Sequence, residues 1–399
     1  MRTGYTTGTC AAAAACAAAW DAFGGQKRAW GMARLPDGRK VRLPVGTERE
    51  GNRTWFWVRK DAGDDPDVTD GCFVYAAVEP AEALTDAGEA GIGEKVREYR
   101  EKAWYGSDEY PFLFLTGGPG IGVVTKPGLS CPVGYYALNP VPRAMIFRAA
   151  GEVYEELGMK GNYVIRIKIP AGRELAGKTF NPRLGIKGGI SVLGTSGIVN
   201  PMSEEALKDT IGLEIHMRRT GGEDSLILVP GNYGEEFLRK NLGISIDRAV
   251  RCSNFAADAV RMAAREGIRK ILFVGHLGKL VKVAGGAENT HSRYGDRRME
   301  ILAECAEHAG ACLHLPRTEE IKRRILGCNT TEEAIECLER EGLRQQVMAD
   351  VTERIQRQMK EWGEKKVQIE VLTFSSVYGI LGMSSFCEQM IQEWRERQI

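Results

Sequence analysis

The chain has 399 residues, of which 43% are hydrophobic and 27% charged, and its formal net charge is +1. That length and composition are typical of a globular protein with two or three domains. A charge near zero, no block of lysine and arginine, and no apolar run of roughly eighteen residues argue against nucleic acid or a membrane as partner.

The N-terminal half is predicted to be one capped helix followed by short strands. Thr9 precedes the run CAAAAACAAAW, and a helix capped by Thr9 is expected because threonine accepts from free N–H groups and alanine favours helix. Residues 28–80 are rich in strand-forming stretches between turn residues, namely VRLPV, RTWFWVRK and GCFVYAAVE. The apolar stretch PFLFL continues this pattern. A helix over Pro142–Gly158 has proline near its start and glycine at its end, and the strand NYVIRIKIP follows.

The C-terminal half alternates apolar stretches with helical ones. A helix that begins at Ser203 has acids in its first turn and bases in its last, as the helix dipole favours. SLILVP and KILFVGH have strand length, and GEEFLRKNLG and SNFAADAVRMAAREG between them are helical in pattern. This alternation predicts a parallel sheet with crossover helices. Residues 296–362 are mostly helical, and the strand VQIEVLTF and a last helix end the chain.

We therefore predict a mixed α/β fold of two domains. Residues 1–200 would form a β-rich N-terminal α/β domain with glycine-rich ligand loops. Residues 201–399 would form a C-terminal α/β domain with parallel strands and a helical tail region. The boundary is expected within or just after GGISVLGTSGIVNP.

Four glycine-dense loops stand out. They span residues 62–71, 116–128, 185–197 and 274–286. Successive backbone N–H groups in such turns can form a concave site for an anion, and tight turns are the alternative. Gly118, Gly120 and Gly122 make GxGxG, but no helix pattern follows, so the dinucleotide fingerprint is incomplete. HLGKL lacks the upstream glycine and the Ser/Thr of a P-loop.

Charged residues are concentrated around these loops. Five aspartates lie close together, namely Asp61, Asp64, Asp65, Asp67 and Asp70. They can bind a divalent cation or a ribose diol, or they can cap their own backbone turns. Seven cations are candidates for an anionic ligand: Lys126, Arg143, Arg183, Lys187, Lys279, Lys282 and Arg293. Arginine can hold a carboxylate bidentately, and a solvated surface is the alternative.

Histidine and cysteine give weaker indications. His276 and His291 flank the loop 274–286. Each can contact a ligand, carry a proton or have a structural role. The spacing in CAEHAGACLH matches no usual zinc site, so helix packing is favoured and no metal is expected. The ten cysteines include no CxxC and no disulfide-framework spacing, which indicates a reducing, cytoplasmic setting.

Nine stretches taken together resemble one family, the S-adenosylmethionine-dependent cobalt-precorrin-5B C-1-methyltransferases (CbiD type) of anaerobic cobalamin biosynthesis. They are RTGYTTGTCAAAAA, AGDDPDVTDG, GIGVVTKPGL, NPVPRAMI, FNPRLGIKGGISVLGTSGIV, PMSEEA, PGNYGEEF, GHLGKLVKVAGG and NTHSR. They occur in this order between Arg2 and Arg293, with further similarity in RRMEILAE.

The resemblance implies methylation of C-1 of cobalt-precorrin-5B to give cobalt-precorrin-6A. It implies S-adenosyl-L-methionine as methyl donor, a small-molecule cobalt-tetrapyrrole substrate, and a fold unlike the common Rossmann-type methyltransferase fold. The donor would contact Asp64, Asp65, Asp67, Gly118, Gly120 and Gly122. The substrate would contact Lys126, Arg143, Lys187, Thr195, Ser196, Lys279, Lys282 and Arg293, and His276 and His291 are the catalytic candidates.

Four positions depart from the family pattern. Pro119 stands where an acid is expected, Tyr135 and Tyr136 stand where a Glu-Pro pair is usual, and Asn200 stands where glutamate is common. If those acids touch ligand, affinity or specificity differs in this chain. Two other functions stay open, a corrinoid carrier without catalysis and a nucleotide-binding oxidoreductase or transferase of another class. The sequence does not fix whether the chain forms a homo-oligomer.

Overall fold

A computed structural model of the chain describes residues 1–81 and 104–397. The chain divides into two compact units, Met1–Ser203 and Glu204–Ile399, which we call unit 1 and unit 2. Both contain helices and sheets, and parallel strands dominate the sheet of unit 2, so the predicted fold class is confirmed. Within the described ranges, no helix has the length and apolar character needed to cross a membrane.

Unit 1 is built on a six-stranded mixed sheet. Its described strands are β1 Gly4–Tyr5, β2 Trp30–Arg34, β3 Lys40–Pro44, β4 Gly46–Glu50, β5 Arg53–Arg59, β6 Phe73–Pro80, β7 Tyr105–Gly106, β8 Leu113–Gly117, β9 Gly120–Ile121, β10 Val123–Val124, β11 Tyr163–Lys168, β12 Ile186–Lys187, β13 Gly189–Ile190 and β14 Ile198–Val199. Its described helices are α1 Thr7–Gly24, α2 Pro140–Glu156 and α3 Gly172–Ala176. The large sheet has the order β4-β5-β6-β11-β8-β7, and only β11 and β8 pair in parallel. Smaller two-stranded ladders are β1-β14, β2-β3, β9-β13 and β10-β12.

Helix α1 lies at the centre of the core of unit 1. All its residues from Thr7 to Trp20 are buried, and the helix packs against α2, β2, β5 and β6. Alanine permits this because it lets backbones approach closely. A Cβ added to Gly31 of β2 would lie 1.8 Å from the carbonyl oxygen of Ala13. A helix buried on all sides needs apolar residues all round, which explains the unbroken alanine run.

The cap of α1 is Thr6, so the prediction of a Thr9 cap was wrong. The Thr6 Oγ1 accepts a hydrogen bond from the backbone N–H of Thr9 at 3.2 Å, because the helix already begins at Thr7. The Thr9 hydroxyl instead donates to the carbonyl oxygen of Gly197 at 2.6 Å. The first turn of α1 is thereby tied to the distant loop 185–197.

Unit 2 is a doubly wound parallel sheet with one antiparallel edge strand. Its described strands are β15 Ser225–Val229, β16 Ala249–Arg251, β17 Lys270–His276, β18 Gln368–Ser375 and β19 Gly379–Met383. Its described helices are α4 Glu204–Thr220, α5 Asn232–Phe237, α6 Ala256–Arg265, α7 Leu277–Ala284, α8 Arg298–Cys312, α9 Thr318–Leu326, α10 Thr331–Arg340, α11 Arg344–Trp362 and α12 Cys387–Glu396. The order is β16-β15-β17-β18-β19, and only β18 and β19 are antiparallel. Counted within the unit this is 2-1-3-4-5, a doubly wound order that differs from the 3-2-1-4-5-6 order of Rossmann folds.

Alternate residues of strand β15 face two separate cores. Leu226 and Leu228 belong to a core with residues of α4, α6, α7 and α11. Ile227 and Val229 belong to the opposite core, with residues of α5 and α12. A strand covered on both faces has no solvent side, which is why SLILV is a continuous apolar run.

Most predicted elements are present, with shifts at their ends. KILFVGH forms β17 over its full length. The helix predicted over Pro142–Gly158 spans Pro140–Glu156, since Pro140 fits the first helical turn. The helix predicted over GEEFLRKNLG begins earlier, at Asn232, and continues as a π-helical turn over Leu238–Leu242. The short strand β16 and the edge strand β19 were not predicted.

Candidate functional site

The carboxyl ends of the four parallel strands of unit 2 surround a cavity of about 640 Å³. After the strands it is lined by Pro230, Gly231, Asn232, Tyr233, Gly234, Arg251, Ser253, His276, Gly278, Lys279 and Ser376, and at the starts of α8 and α10 by Arg298, Thr331 and Glu332. Open α/β sheets bind ligands at this edge, at the point where the strand order reverses. The volume lies within the roughly 300–1,000 Å³ of small-molecule sites. We call it the sheet-edge cavity.

The turn after β15 leaves its backbone uncovered at the cavity. Gly231 has φ 152° and ψ −163°, a conformation that side-chain-bearing residues rarely adopt, and nothing lies within 4 Å of an added Cβ. Tyr233 follows, and 69% of it is exposed. Its ring centroid lies 6.1 Å from that of His276. The turn therefore offers open backbone and an aromatic face to a planar ligand.

His276 ends β17 and caps α7. Its Nδ1 accepts from the backbone N–H of Gly278 at 3.1 Å, so the neutral ring carries its proton on Nε2. Nε2 lies 3.5 Å from Oε1 of Glu332. Burial lowers the pKa of His276, and the carboxylate of Glu332 opposes this only in part. The ring is therefore fixed as a neutral hydrogen-bond donor in the cavity wall.

The guanidinium groups of the sheet-edge cavity are already paired. Arg251 forms a bidentate ion pair with the buried carboxylate of Glu235. Arg298 pairs with Asp296 at 2.6 Å. Glu332, in contrast, forms no ion pair with a lysine or arginine of the described ranges. Both guanidinium groups of the cavity are thus neutralised by carboxylates, and the remaining cation among the described residues that line it is the ammonium of Lys279.

Two predicted substrate lysines hold the loops around this cavity. The Lys279 ammonium donates to the carbonyl oxygen of Pro230 at 3.1 Å and to Oδ1 of Asn254 at 2.9 Å. Burial lowers the pKa of Lys279, and the charge of Lys282 acts in the same direction. Lys282 is buried and donates to the carbonyl oxygen of Thr290 at 3.4 Å. Of the two, only Lys279 lines the cavity.

His291 and Arg293 do not line the sheet-edge cavity, although they are close to its loops in sequence. His291 is exposed, and its Nδ1 accepts from the backbone N–H of Arg293 at 3.1 Å. Arg293 pairs with Glu204 and lies 4.7 Å from the ring of Tyr294. Both side chains thus have local structural contacts.

The carboxylates of the acidic loop 62–71 have partners inside unit 1. Asp64 accepts from the backbone N–H of Arg2 at 2.5 Å. Asp65 accepts from the backbone N–H of Met202 at 2.9 Å. These two carboxylates therefore join the loop to the N-terminal segment and to the end of the unit, rather than capping the loop's own turns.

Asp67 neutralises a buried lysine. Its Oδ2 accepts from the ammonium of Lys60 at 2.7 Å, and its Oδ1 accepts from the backbone N–H of Thr69 at 2.8 Å. Only 2% of Lys60 is exposed. Burial acts to raise the pKa of Asp67, but the hydrogen bonds with Lys60 and Thr69 outweigh it, and the pKa is lowered. A ligand at Asp67 would have to compete with these bonds.

Two of the three predicted donor glycines in the loop 116–128 are required by packing. Gly120 has φ 81°, and an added Cβ would lie 1.7 Å from the carbonyl oxygen of Ile169. A Cβ on Gly122 would lie 2.3 Å from Cγ2 of Ile186. On Gly118 it would make only ordinary contacts. The bare backbone of this loop therefore allows other parts of the same chain to approach.

Two other predicted substrate lysines lie on one small ladder of unit 1. Strand β10 pairs with β12, and Val123 lies opposite Lys187. Lys126 lies just beyond β10, where a Cβ on Gly185 would be 2.6 Å from its Cγ. Both lysines are exposed. The ladder thus presents two ammonium groups to solvent.

The third predicted substrate-binding cation of unit 1, Arg143, stacks on the ring of Tyr105. Its guanidinium lies 4.1 Å from the ring centroid of Tyr105. The rings of Tyr105 and Tyr135 are 5.1 Å apart, and the Tyr105 hydroxyl donates to the carbonyl oxygen of Tyr136 at 2.6 Å. Tyr136 bridges to Val123 of β10. The tyrosines that depart from the family pattern therefore adjoin the lysine ladder.

Thr195 and Ser196 are exposed in the loop 185–197, near the start of α1. The Ser196 hydroxyl donates to the carbonyl oxygen of Ile198 at 3.0 Å. In the same loop the carbonyl oxygen of Leu193 accepts from the backbone N–H of Gly8 at 3.1 Å. The loop thus packs on the N-terminal motif RTGYTTGTC.

The described ranges contain no group of three or more His, Cys, Asp and Glu side chains placed to hold a metal ion. All ten cysteines are free thiols. In the segment CAEHAGACLH, the Cys312 Sγ lies 3.8 Å from Nε2 of His308.

Comparison with known proteins shows which family the chain belongs to. The CbiD family matches residues 1–201, and the CbiD C-terminal domain matches residues 289–385. The cobalt-precorrin-5B C(1)-methyltransferase of Ruminiclostridium cellulolyticum is 40% identical over 378 residues, which are 94% of this chain and 90% of that protein. This chain belongs to the CbiD family.

Two further relatives are similar over much of the chain. The protein of the same name from Thermoanaerobacter sp. is 39% identical over 96% of this chain and 94% of its own length. A crystal structure of a cobalamin biosynthesis protein (cbiD) from Archaeoglobus fulgidus is 25% identical and covers 71% of this chain and 80% of that one. Its TM-score of 0.36 is too low for an atom-by-atom comparison.

The structure brings only two of the predicted site residues into the sheet-edge cavity, His276 and Lys279. Sequence reasoning missed its other side chains, among them Tyr233, Arg251, Arg298, Glu332 and Ser376. The stretch PGNYGEEF carried a usable signal, because a glycine-containing turn directly after a buried strand marks the ligand edge of a parallel sheet. Nothing in the charged segment around Glu332 separates it from an ordinary surface helix.

Proposed function

We propose that this chain is a cobalt-precorrin-5B C(1)-methyltransferase of anaerobic cobalamin biosynthesis. It transfers a methyl group from S-adenosyl-L-methionine to C-1 of cobalt-precorrin-5B and gives cobalt-precorrin-6A. The observation that carries this proposal is the 40% identity to a relative of that name over 94% of the chain. The similarity therefore extends over both units.

The chemistry requires positioning more than covalent catalysis. S-adenosylmethionine supplies an activated methyl group whose transfer leaves the S–C electron pair on sulfur and uses an electron pair of the ring carbon. The chain therefore needs no covalent nucleophile, and its residues bind, orient and exclude water. Orientation alone can lower a barrier by roughly 7–11 kcal/mol. The neutral imidazole of His276 can donate a hydrogen bond but is not held as a strong acid.

The substrate's carboxylates are proposed to bind at the lysine ladder of unit 1. The macrocycle carries many acetate and propionate groups, and Lys126 and Lys187 present exposed ammonium groups. Tyr135 and Tyr136 adjoin the ladder through Val124 and Val123. The ring of Tyr135 packs on that of Tyr105, which the guanidinium of Arg143 covers, and these groups suit the edge of a flat, carboxylate-bearing ring. The sheet-edge cavity, whose guanidinium groups are already paired, suits such a polyanion less well.

Transfer is tested by incubating the purified chain with cobalt-precorrin-5B and S-adenosylmethionine labelled in its methyl group. We expect a product one labelled methyl group heavier by mass spectrometry. A carrier would bind the macrocycle and leave the label on the donor. An enzyme of another class would bind a nicotinamide cofactor in preference to S-adenosylmethionine, which a parallel titration detects.

We propose a cytoplasmic location and leave the oligomeric state to measurement. The ten free cysteines support the location, because thiols stay reduced in that compartment. Sedimentation of the purified chain distinguishes a monomer from a homo-oligomer.

A further inference from the structure

We propose that the sheet-edge cavity of unit 2 is the methyl-donor site, with Glu332 and Tyr233 as contacts to the nucleoside. This rests on the proposed function, which supplies the donor's chemical class, a nucleoside that carries a sulfonium and an amino acid. It replaces the expectation that the loops 62–71 and 116–128 of unit 1 hold the donor.

The topology places the cavity where a doubly wound sheet binds its ligand. Strand β15 is followed by α5, whose Phe237 packs on one face of the sheet. The neighbouring strand β17 is followed by α7, whose Leu280 packs on the other face. The two connections leave in opposite directions, so a crevice opens between the strand ends. Gly231 and His276 lie at the two sides of that crevice.

The charges of the cavity suit a nucleoside without phosphates. Arg251 and Arg298 are paired with Glu235 and Asp296, so neither is a ready partner for phosphate. Glu332 adds a carboxylate that would repel a phosphate and attract a sulfonium. A zwitterionic amino acid joined to a cationic sulfur therefore meets this wall at lower electrostatic cost than a nucleotide does.

Glu332 has acceptor capacity left for hydroxyl groups. Its Oε2 accepts from the Thr331 hydroxyl at 3.0 Å, and its Oε1 faces Nε2 of His276 at 3.5 Å. A carboxylate offers about four lone-pair directions, so two contacts leave room for a ribose diol. His276 on one side and Thr331 on the other fix the orientation of the carboxylate. Tyr233, mostly exposed beside the same wall, can stack on the adenine ring.

The predicted donor residues of the unit 1 loops already make contacts within that unit. Asp65 and Asp67 accept hydrogen bonds from Met202 and Lys60. The space beside the Cα of Gly120 is occupied by the carbonyl oxygen of Ile169. A donor at Asp67 or at Gly120 would have to displace these contacts before it made new ones.

Equilibrium dialysis of the full chain with labelled S-adenosylmethionine, and with S-adenosylhomocysteine, tests the site. Glu332→Gln and Tyr233→Ala are each expected to raise the donor's dissociation constant about tenfold or more. Glu336→Gln is the matched control, because Glu336 lies on the same helix, is exposed and pairs with Arg340 outside the cavity. Asp65→Asn tests the loop of unit 1. Both controls are expected to leave the dissociation constant unchanged.

The outcomes separate this inference from the proposed function. If the wild-type chain binds the donor and both folded cavity variants bind it equally well, the donor site is wrong and the function stands, and weaker binding by Asp65→Asn would then place the donor in unit 1. If the wild-type chain binds neither nucleoside, both fall. Thermal melts of every variant identify unfolding, and two cavity variants of different chemistry keep the test decisive if one of them fails to fold.

Discussion

His276 and Glu332 meet across the wall of the sheet-edge cavity, where Nε2 of the imidazole lies 3.5 Å from Oε1 of the carboxylate. The opposite nitrogen of the same ring caps α7 through the N–H of Gly278. One neutral ring thus fixes the end of β17, the start of α7 and the carboxylate of α10. These contacts form because the parallel sheet brings segments that are distant in sequence to one edge.

Donor binding is expected to be nearly independent of pH between 6.5 and 8 and to fall as the pH drops through the lowered pKa of His276. Burial lowers the pKa of His276 from 6.5, so the ring is neutral throughout that upper range. At lower pH its protonation removes the acceptor that caps α7 and places a positive charge beside the cationic donor. Dialysis at each pH measures this, and His276→Asn, which retains a capping side chain, is expected to abolish the fall.

The same group gives a stability prediction with a definite sign. Because its pKa is lower in the folded chain, the unfolded chain binds a proton first as the pH falls through 6.5. The free energy of unfolding therefore decreases below that pH and is unaffected by His276 above it. Urea titrations at pH 5.5 and 7.5, with His276→Asn as reference, check the sign. A wild-type chain that becomes more stable than the reference at low pH contradicts it.

Gly120→Ala is expected to destabilise unit 1 by more than about 4 kcal/mol, because its Cβ would overlap the carbonyl oxygen of Ile169. Gly134→Ala is the matched control, since Gly134 has a similar φ of 88° with nothing within 4 Å of an added Cβ. The control is expected to lower the free energy of unfolding by about 1–2 kcal/mol, from backbone strain alone. Urea denaturation measures the free energy of unfolding of both variants. Equal losses would contradict the packing role of Gly120 and favour a ligand-binding role for the loop 116–128.

Asp67→Ala is expected to destabilise unit 1 by about 3 kcal/mol, because it leaves the buried ammonium of Lys60 without its carboxylate. Asp65→Ala removes only a hydrogen bond from a backbone N–H and is expected to cost less. The pKa of Asp67 is lowered in the folded chain, so its contribution is present above pH about 4 and is lost as the pH falls through the lowered value. Urea denaturation at pH 7 and at pH 3 measures this, and a constant difference between wild type and Asp67→Ala would contradict it.

Replacing Lys126 and Lys187 together by alanine is expected to weaken binding of the cobalt-tetrapyrrole and to flatten its dependence on salt. Exposed charges act through a potential that salt screens, so their removal leaves less to screen. Lys27→Ala, an exposed lysine elsewhere in unit 1, is the control. Affinities measured between low and high salt compare the three chains, and an unchanged slope in the double variant would move the substrate surface elsewhere.

Local structure was predictable because local signals decide it. The apolar run KILFVGH predicts a buried strand wherever it lies in a parallel sheet. The acids in the first turn of α4 and the bases in its last turn predict a helix because they complement the helix dipole. The first and last residues of helices and strands were harder to predict from the sequence. Thr6 and Thr9 offer the same hydroxyl, and only the loop that receives the Thr9 side chain decides which of them caps α1.

The site was less predictable, because it depends on which loops meet. A glycine required by a neighbouring carbonyl, such as Gly120, has the same sequence appearance as one that faces a ligand, such as Gly231. Glu332 lies far from PGNYG in sequence and reaches the cavity only through the packing of α10. The 2-1-3-4-5 order, which locates the crevice, is set by long-range pairing that no local pattern encodes.

The most direct test of the donor site is ultraviolet crosslinking of labelled S-adenosylmethionine to the full chain, followed by peptide mapping with mass spectrometry. We expect the label on the turn 230–234, which contains Tyr233, or on the start of α10, and we expect excess unlabelled S-adenosylhomocysteine to prevent it. Label confined to 62–71 or 116–128 would contradict a donor site in unit 2.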